Sequence, residues 1–114
     1  MISLEDRHRL HQFLMLMLAV QYLKKDLATL QTLKYADIFV PFVEKKLPQL
    51  LKTYEAEKTY FAKKNIHFIK WQKIDVYFSR VYVTTAGEDA HFTYANQAVK
   101  TQVVEIVQRQ LGLI

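Results

Sequence analysis

The chain has 114 residues, a net charge of +5, no cysteine, and only two glycines and two prolines. Average usage would give roughly eight glycines and six prolines. The shortage excludes a Walker loop or a G-x-G-x-x-G turn, which need clustered glycines against phosphate. It also argues against an all-β fold rich in tight turns.

Few turns mean few, long elements, and the length fits a single domain over 1–114. Hydrophobic residues reach 51% and charged residues 24%, enough for a real core. Without cysteine, disulfides, thiolate metal sites and cysteine nucleophiles drop out, which suits a reducing cytoplasm. Nine of the 16 bases lie between residues 45 and 80 against three acids, so that segment carries +6 and the remainder −1. Such an excess attracts acidic partners, although lysine-rich helix surfaces also serve solubility.

Ser3 followed by Asp6 resembles a capping box opening the first helix. Leu16, Val20, Leu23, Leu27 and Leu30 then follow one helical face, and a helix is predicted over Leu4–Leu33. Its most apolar run, Phe13 to Val20, has eight residues, whereas about 20 are needed to span a bilayer. Arg7 and Arg9 could begin a signal peptide, but Glu5 and Asp6 dilute them and no cleavage site follows. The reading is a core helix, apolar nearly all round. It therefore demands cover on more than one side, which self-association would supply.

Residues 34–40 read as a connection, with Pro41 in the first turn of a second helix. Val43, Leu47, Leu50, Tyr54 and Phe61 form its stripe. Pro48 removes a hydrogen bond to Glu44 and predicts a bend, and Asn65 ends the helix. Residues 66–85 are dense in strand formers. Asp75 marks a turn between strands at Ile66–Lys73 and Val76–Thr85. Ala86 to His91 reads as a loop and Thr93 as the cap of a last helix. That helix carries Val99, Val103, Ile106 and Gln110, with Val107 and Leu111 beside them and Gly112 as its C′ residue. The fold class is α+β, mostly helical: a long N-terminal helix, a kinked second helix, a β-hairpin and a C-terminal helix. A hairpin alone is marginal in water, so it must lie on the helices or pair with another subunit.

Two Glu-x-x-His spacings, Glu5/His8 and Glu88/His91, match a di-metal pattern of helical bundles. Polar side chains in contact with water explain both more simply, and no metal or other cofactor is expected. Serine occurs only at Ser3 and Ser79, neither in a nucleophile elbow. Gly87-Glu88-Asp89-x-His91 could bring an acid near a base, but reads first as a solvated turn. No enzymatic activity and no small-molecule substrate are indicated.

The binding candidates are Lys63, Lys64, Lys70, Trp71, Lys73, Tyr77, Arg80 and Tyr82. Cations interleaved with aromatics suit nucleic acid, since cations meet phosphate and rings stack on bases. Strict alternation sets Ile66, Phe68, Lys70 and Gln72 on one face and His67, Ile69, Trp71 and Lys73 on the other. Aromatics then occur on both faces, one of which must be core. The other suits a protein partner or self-pairing better than nucleic acid.

From Pro41 onward the chain resembles a group of small uncharacterised proteins of spore-forming Firmicutes or their phages. The shared order is a Pro-started lysine-rich helix, an aromatic hairpin, then Gly87, Glu88, Asp89, His91, Tyr94 and Asn96 before a terminal helix. The resemblance covers about the last two thirds of the chain. It implies a bacterial or phage-like cytoplasmic origin and no activity. The expected function is a non-enzymatic interaction or regulatory protein, binding itself as a dimer or a protein partner through the hairpin and helical faces. The alternative is a nucleic-acid-associated regulator, with an enzyme or metal-binding protein third. No membrane association is expected.

Overall fold

The computed structural model describes residues 3–110 and 112. Its elements are α1 (Leu4–Leu30), α2 (Ala36–Lys63), β1 (Ile66–Lys73), β2 (Phe78–Thr85), β3 (Glu88–Ala95) and α3 (Asn96–Gln110). The α+β, mostly helical fold is as the periodicities indicate, with one added strand.

Ser3 caps α1 by accepting the Asp6 N–H on its hydroxyl at 3.1 Å, and Glu5 and Asp6 complement the helix dipole. The helix ends at Leu30, three residues earlier than the apolar pattern suggests. There the Thr32 hydroxyl donates to the Thr29 carbonyl, an alternative that threonine offers the backbone at helix ends. All of Phe13–Val20 is buried, and no described helix is long and apolar enough to cross a membrane. The chain itself covers this run. One core cluster joins Leu10, Leu14 and Leu18 to Phe61, Val81, Val83 and Val103, and a second joins Leu16, Val20 and Leu23 to Val43 and Leu50. The cover that α1 demands thus comes from α2, α3 and one face of the sheet.

α2 starts at Ala36, so most of the stretch read as a connection is helical. Pro41 lies in the sixth position rather than the first turn, and α2 runs through Pro48 as one element. Each proline lacks the N–H that would meet the carbonyl four residues back. Pro41, Pro48, Asp37 and Glu44 are all exposed, so water can take the freed carbonyls. Asn65, with φ +60°, turns the chain out of α2, and its carbonyl accepts the Ala86 N–H at 2.9 Å.

The sheet is antiparallel in the order β1-β2-β3. β3 occupies most of the stretch read as a loop and a helix cap, so Thr93 lies in a strand and α3 begins at Asn96. The third strand helps a hairpin that would be marginal alone. Thr85 pairs with Glu88, leaving Ala86 and Gly87 as a two-residue turn with φ +51° and +85°. Both values are positive, as in the type I′ turn that matches strand twist. Gly112 follows α3 with φ +77°, its N–H donating to Arg109 at 3.1 Å. Leu111 lies outside the described residues.

At one end α1 and α2 are pinned by polar contacts. Arg9 pairs with Glu57 through two hydrogen bonds of 2.8 and 3.0 Å, and its guanidinium lies 3.4 Å from the Tyr60 ring centroid. Tyr60 Oη and Lys64 Nζ donate to the two oxygens of Asp6 at 2.7 and 2.8 Å. Lys64 and the tyrosine hydroxyl hold the Asp6 carboxyl below its ordinary range.

Candidate functional site

The structure divides the eight candidate residues among different surfaces. A bulge in β1 between Phe68 and Lys70 decides the division. The extra residue, Ile69, shifts the alternation by one. Trp71 therefore joins Ile66 and Phe68 on the core side, while Lys70 and Gln72, expected on the face of Phe68, lie outside. This corrects the expectation that Trp71 lies opposite Phe68. Its ring packs against Tyr94 at 5.6 Å between centroids, and its Nε1 is buried without a hydrogen-bond partner.

Lys70, Arg80 and Tyr82 share the outer face. Lys70 pairs with Tyr82, Tyr82 with His91, and Gln72 with Arg80 across the strands. Lys70 Nζ lies 5.2 Å from the Tyr82 ring centroid, and the Tyr82 hydroxyl donates to Gln72 at 3.0 Å. This face sets one lysine over the Tyr82 ring, with Arg80 on the same side of the sheet.

Lys63 and Lys64 precede β1, whereas Lys73 closes it. A strand advances about 3.3 Å per residue, which separates them by the length of the strand. Lys64 is also engaged by Asp6, which raises its pKa. Lys73 and Tyr77 lie at the β1–β2 turn. There Asp75 Oδ1 accepts the Tyr77 and Phe78 N–H groups, both at 2.8 Å, confirming Asp75 as the turn residue.

Beside this turn lies a groove of about 880 Å³ between α1, α3 and the turn. Leu18 and Leu23 line one side, Val99, Val103 and Val107 the other, and Trp71 part of its wall. Tyr22, Val76 and Val104 also line it and are 48, 76 and 44% exposed. The charged lining residues are Lys25, Lys73, Lys100 and Asp26. Apolar walls with a net positive edge suit an apolar partner carrying acids. The valine line of α3 was visible as helical periodicity, but nothing in its spacing showed which part would stay uncovered.

Glu88 and His91 lie three apart on a strand, so they point to opposite faces and lose the helical relation. Glu5 and His8 remain exposed on α1. Among the described residues no three His, Asp or Glu side chains converge as metal ligands do. Ser79 donates to Asn96 at 2.5 Å. Sequence reasoning missed His11, whose Nδ1 meets the Tyr94 hydroxyl between α1 and β3. Burial, then Arg7 and His8, lower the His11 pKa, and burial raises that of Tyr94.

Comparison with curated proteins and with solved structures finds no significant match. A family model described as YhjD protein matches residues 1–114, and the chain belongs to that family.

Proposed function

We propose that the chain is a non-enzymatic interaction protein that docks a helix of a partner protein in the groove between α1, α3 and the β1–β2 turn. The observation that carries this reading is the groove itself, with apolar walls of valine and leucine and three lysines against one aspartate. An amphipathic helix laid in such a groove buries its apolar stripe and sets its acidic flank beside the lysines. In the same reading the activity belongs to a bacterial cytoplasm, which is what a resemblance to proteins of spore-forming Firmicutes or their phages implies. No cofactor takes part.

The test is a photo-crosslinking residue at position 104 in the native host. A discrete protein adduct is expected, and Lys25→Glu with Lys100→Glu weakens it. No adduct, or one indifferent to these charges, overturns the reading.

One observation favours a second reading. Lys70, Arg80 and Tyr82 share the outer sheet face with His91, as on platforms that stack bases and hold phosphates. A nucleic-acid-associated regulator would bind generic single-stranded DNA or RNA at low salt, weaken steeply as salt rises, and lose binding in Lys70→Ala with Arg80→Ala. Absence of binding at low salt removes this alternative.

A further inference from the structure

The beginning of α2 carries an apolar stripe that the described chain leaves open. Tyr35, Ile38, Phe39 and Phe42 fall within about 100° of arc on a helix of 3.6 residues per turn. They are 56, 66, 45 and 45% exposed, and Leu33 just before them is 48% exposed. The same side of α2 is covered one turn further on. There the Gln110 side chain donates to the Lys46 carbonyl and to Gln49, both at 3.2 Å.

We propose that this stripe is the contact between two copies of the chain, packed antiparallel about a two-fold axis. A two-fold contact uses the same patch on both copies, so the patch must suit itself. This one does. An antiparallel pairing centred between Ile38 and Phe39 sets Tyr35 against the second copy's Phe42. The surrounding charges are Lys34, Lys45 and Lys46 against Asp37 and Glu44, close to neutral. A near-neutral patch does not repel its copy, and it offers little attraction to an anionic surface.

The area is also of the right order. An aromatic side chain presents about 200 Å² when bare. The four stripe side chains at about half exposure therefore offer roughly 400 Å² per copy, or about 800 Å² in the pair before their neighbours are counted. Stable interfaces begin near 1,200 Å² in total. Pairing would join two α1–α2 hairpins into a four-helix layer, a common packing solution. The stripe shares no residue with the groove, so the dimer does not depend on what the groove binds.

Sedimentation velocity on the full chain across the micromolar range tests the proposal. A concentration-dependent dimer is expected, and Phe42→Glu should raise its Kd by at least about tenfold, as placing a charge against the second copy's Tyr35 in an apolar contact does. Val104→Glu, in the groove, should leave the dimer unchanged. Because the chain has no cysteine, Ile38→Cys gives a second readout, an intermolecular disulfide formed on mild oxidation. Circular dichroism confirms that each variant keeps its helices. A monomer throughout, or a dimer indifferent to both Ile38→Glu and Phe42→Glu, overturns the proposal. So does a monomer that binds anionic vesicles through Phe42.

Discussion

The side-chain amide of Asn96 donates to the main-chain carbonyl of Asp75 at 3.2 Å, joining the start of α3 to the β1–β2 turn. The same nitrogen reaches the Val76 carbonyl at 3.0 Å, the Asn96 Oδ1 accepts from Ser79, and the Asn96 N–H donates to Tyr77 at 2.8 Å. The Asn96 side chain therefore positions the turn that borders the groove. Asn96→Ala removes the side-chain bonds, and each such bond contributes about 1 kcal/mol net. Three bonds are lost, but two of them are exposed and share one nitrogen, so a loss of about 2 kcal/mol is expected in urea unfolding. A change below about 0.5 kcal/mol would mean that Asp75 holds the turn without help.

The β2–β3 turn makes a different demand. Ala86 sits at φ +51°, a conformation in which a Cβ is strained. Glycine has no Cβ and adopts it freely, although its unfolded state is also more flexible. Ala86→Gly should therefore stabilise the fold by up to about 1 kcal/mol, read as a higher melting temperature. A lower one would show that the Ala86 methyl group makes contacts worth more than the strain.

That turn also shows why part of the fold was hard to read. The hairpin signal is Asn-Gly or Asp-Gly, and Ala86-Gly87 gives only half of it. Glu88 and Asp89 then look like loop residues, although Ala90, Phe92 and Tyr94 alternate as a strand face does. α1 was legible because Leu16, Val20 and Leu23 repeat over many turns. The Asp75 turn was legible because the aspartate sits between two runs of strand formers. The first turns of α2 were not, because Pro41 suggested a helix start, whereas α2 begins five residues earlier, with the Phe39 N–H donating to the Tyr35 carbonyl.

Trp71 shows the limit for the candidate site. Period-two reasoning placed it away from Phe68, and the bulge at Ile69 returned it to the core. A bulge has no signature in these residues. Trp71 and Lys70 are neighbours in sequence but should behave differently. Trp71→Ala should cost about 3 kcal/mol, as loss of a packed aromatic does, and Lys70→Ala less than about 0.5 kcal/mol. As the chain's one tryptophan, Trp71 should emit at the short wavelengths of a shielded indole. Emission at the wavelength of free tryptophan, with little loss of stability in Trp71→Ala, would place the ring outside the core.

His11 makes the fold sensitive to acid. Its ring stands between Phe92 and Tyr94, edge-on to both, with centroids 5.1 and 5.4 Å away. Burial lowers its pKa in the folded state, and the positive charges of Arg7 and His8 add to this. In the unfolded chain it titrates near its ordinary value of about 6.5. Between those two values the unfolded state binds more protons than the folded state, so stability rises with pH across the window. The contribution is complete above about pH 6.5 and is lost as pH falls toward the folded value. His11→Gln keeps a polar group near Tyr94 and cannot titrate. It should flatten the fall in stability on the acid side of pH 6.5, measured by urea unfolding from pH 5 to 8. An unchanged slope in His11→Gln would assign the acid sensitivity of this window to groups other than His11, and not to Asp6, whose lowered pKa makes stability fall only below its ordinary value of 3.8.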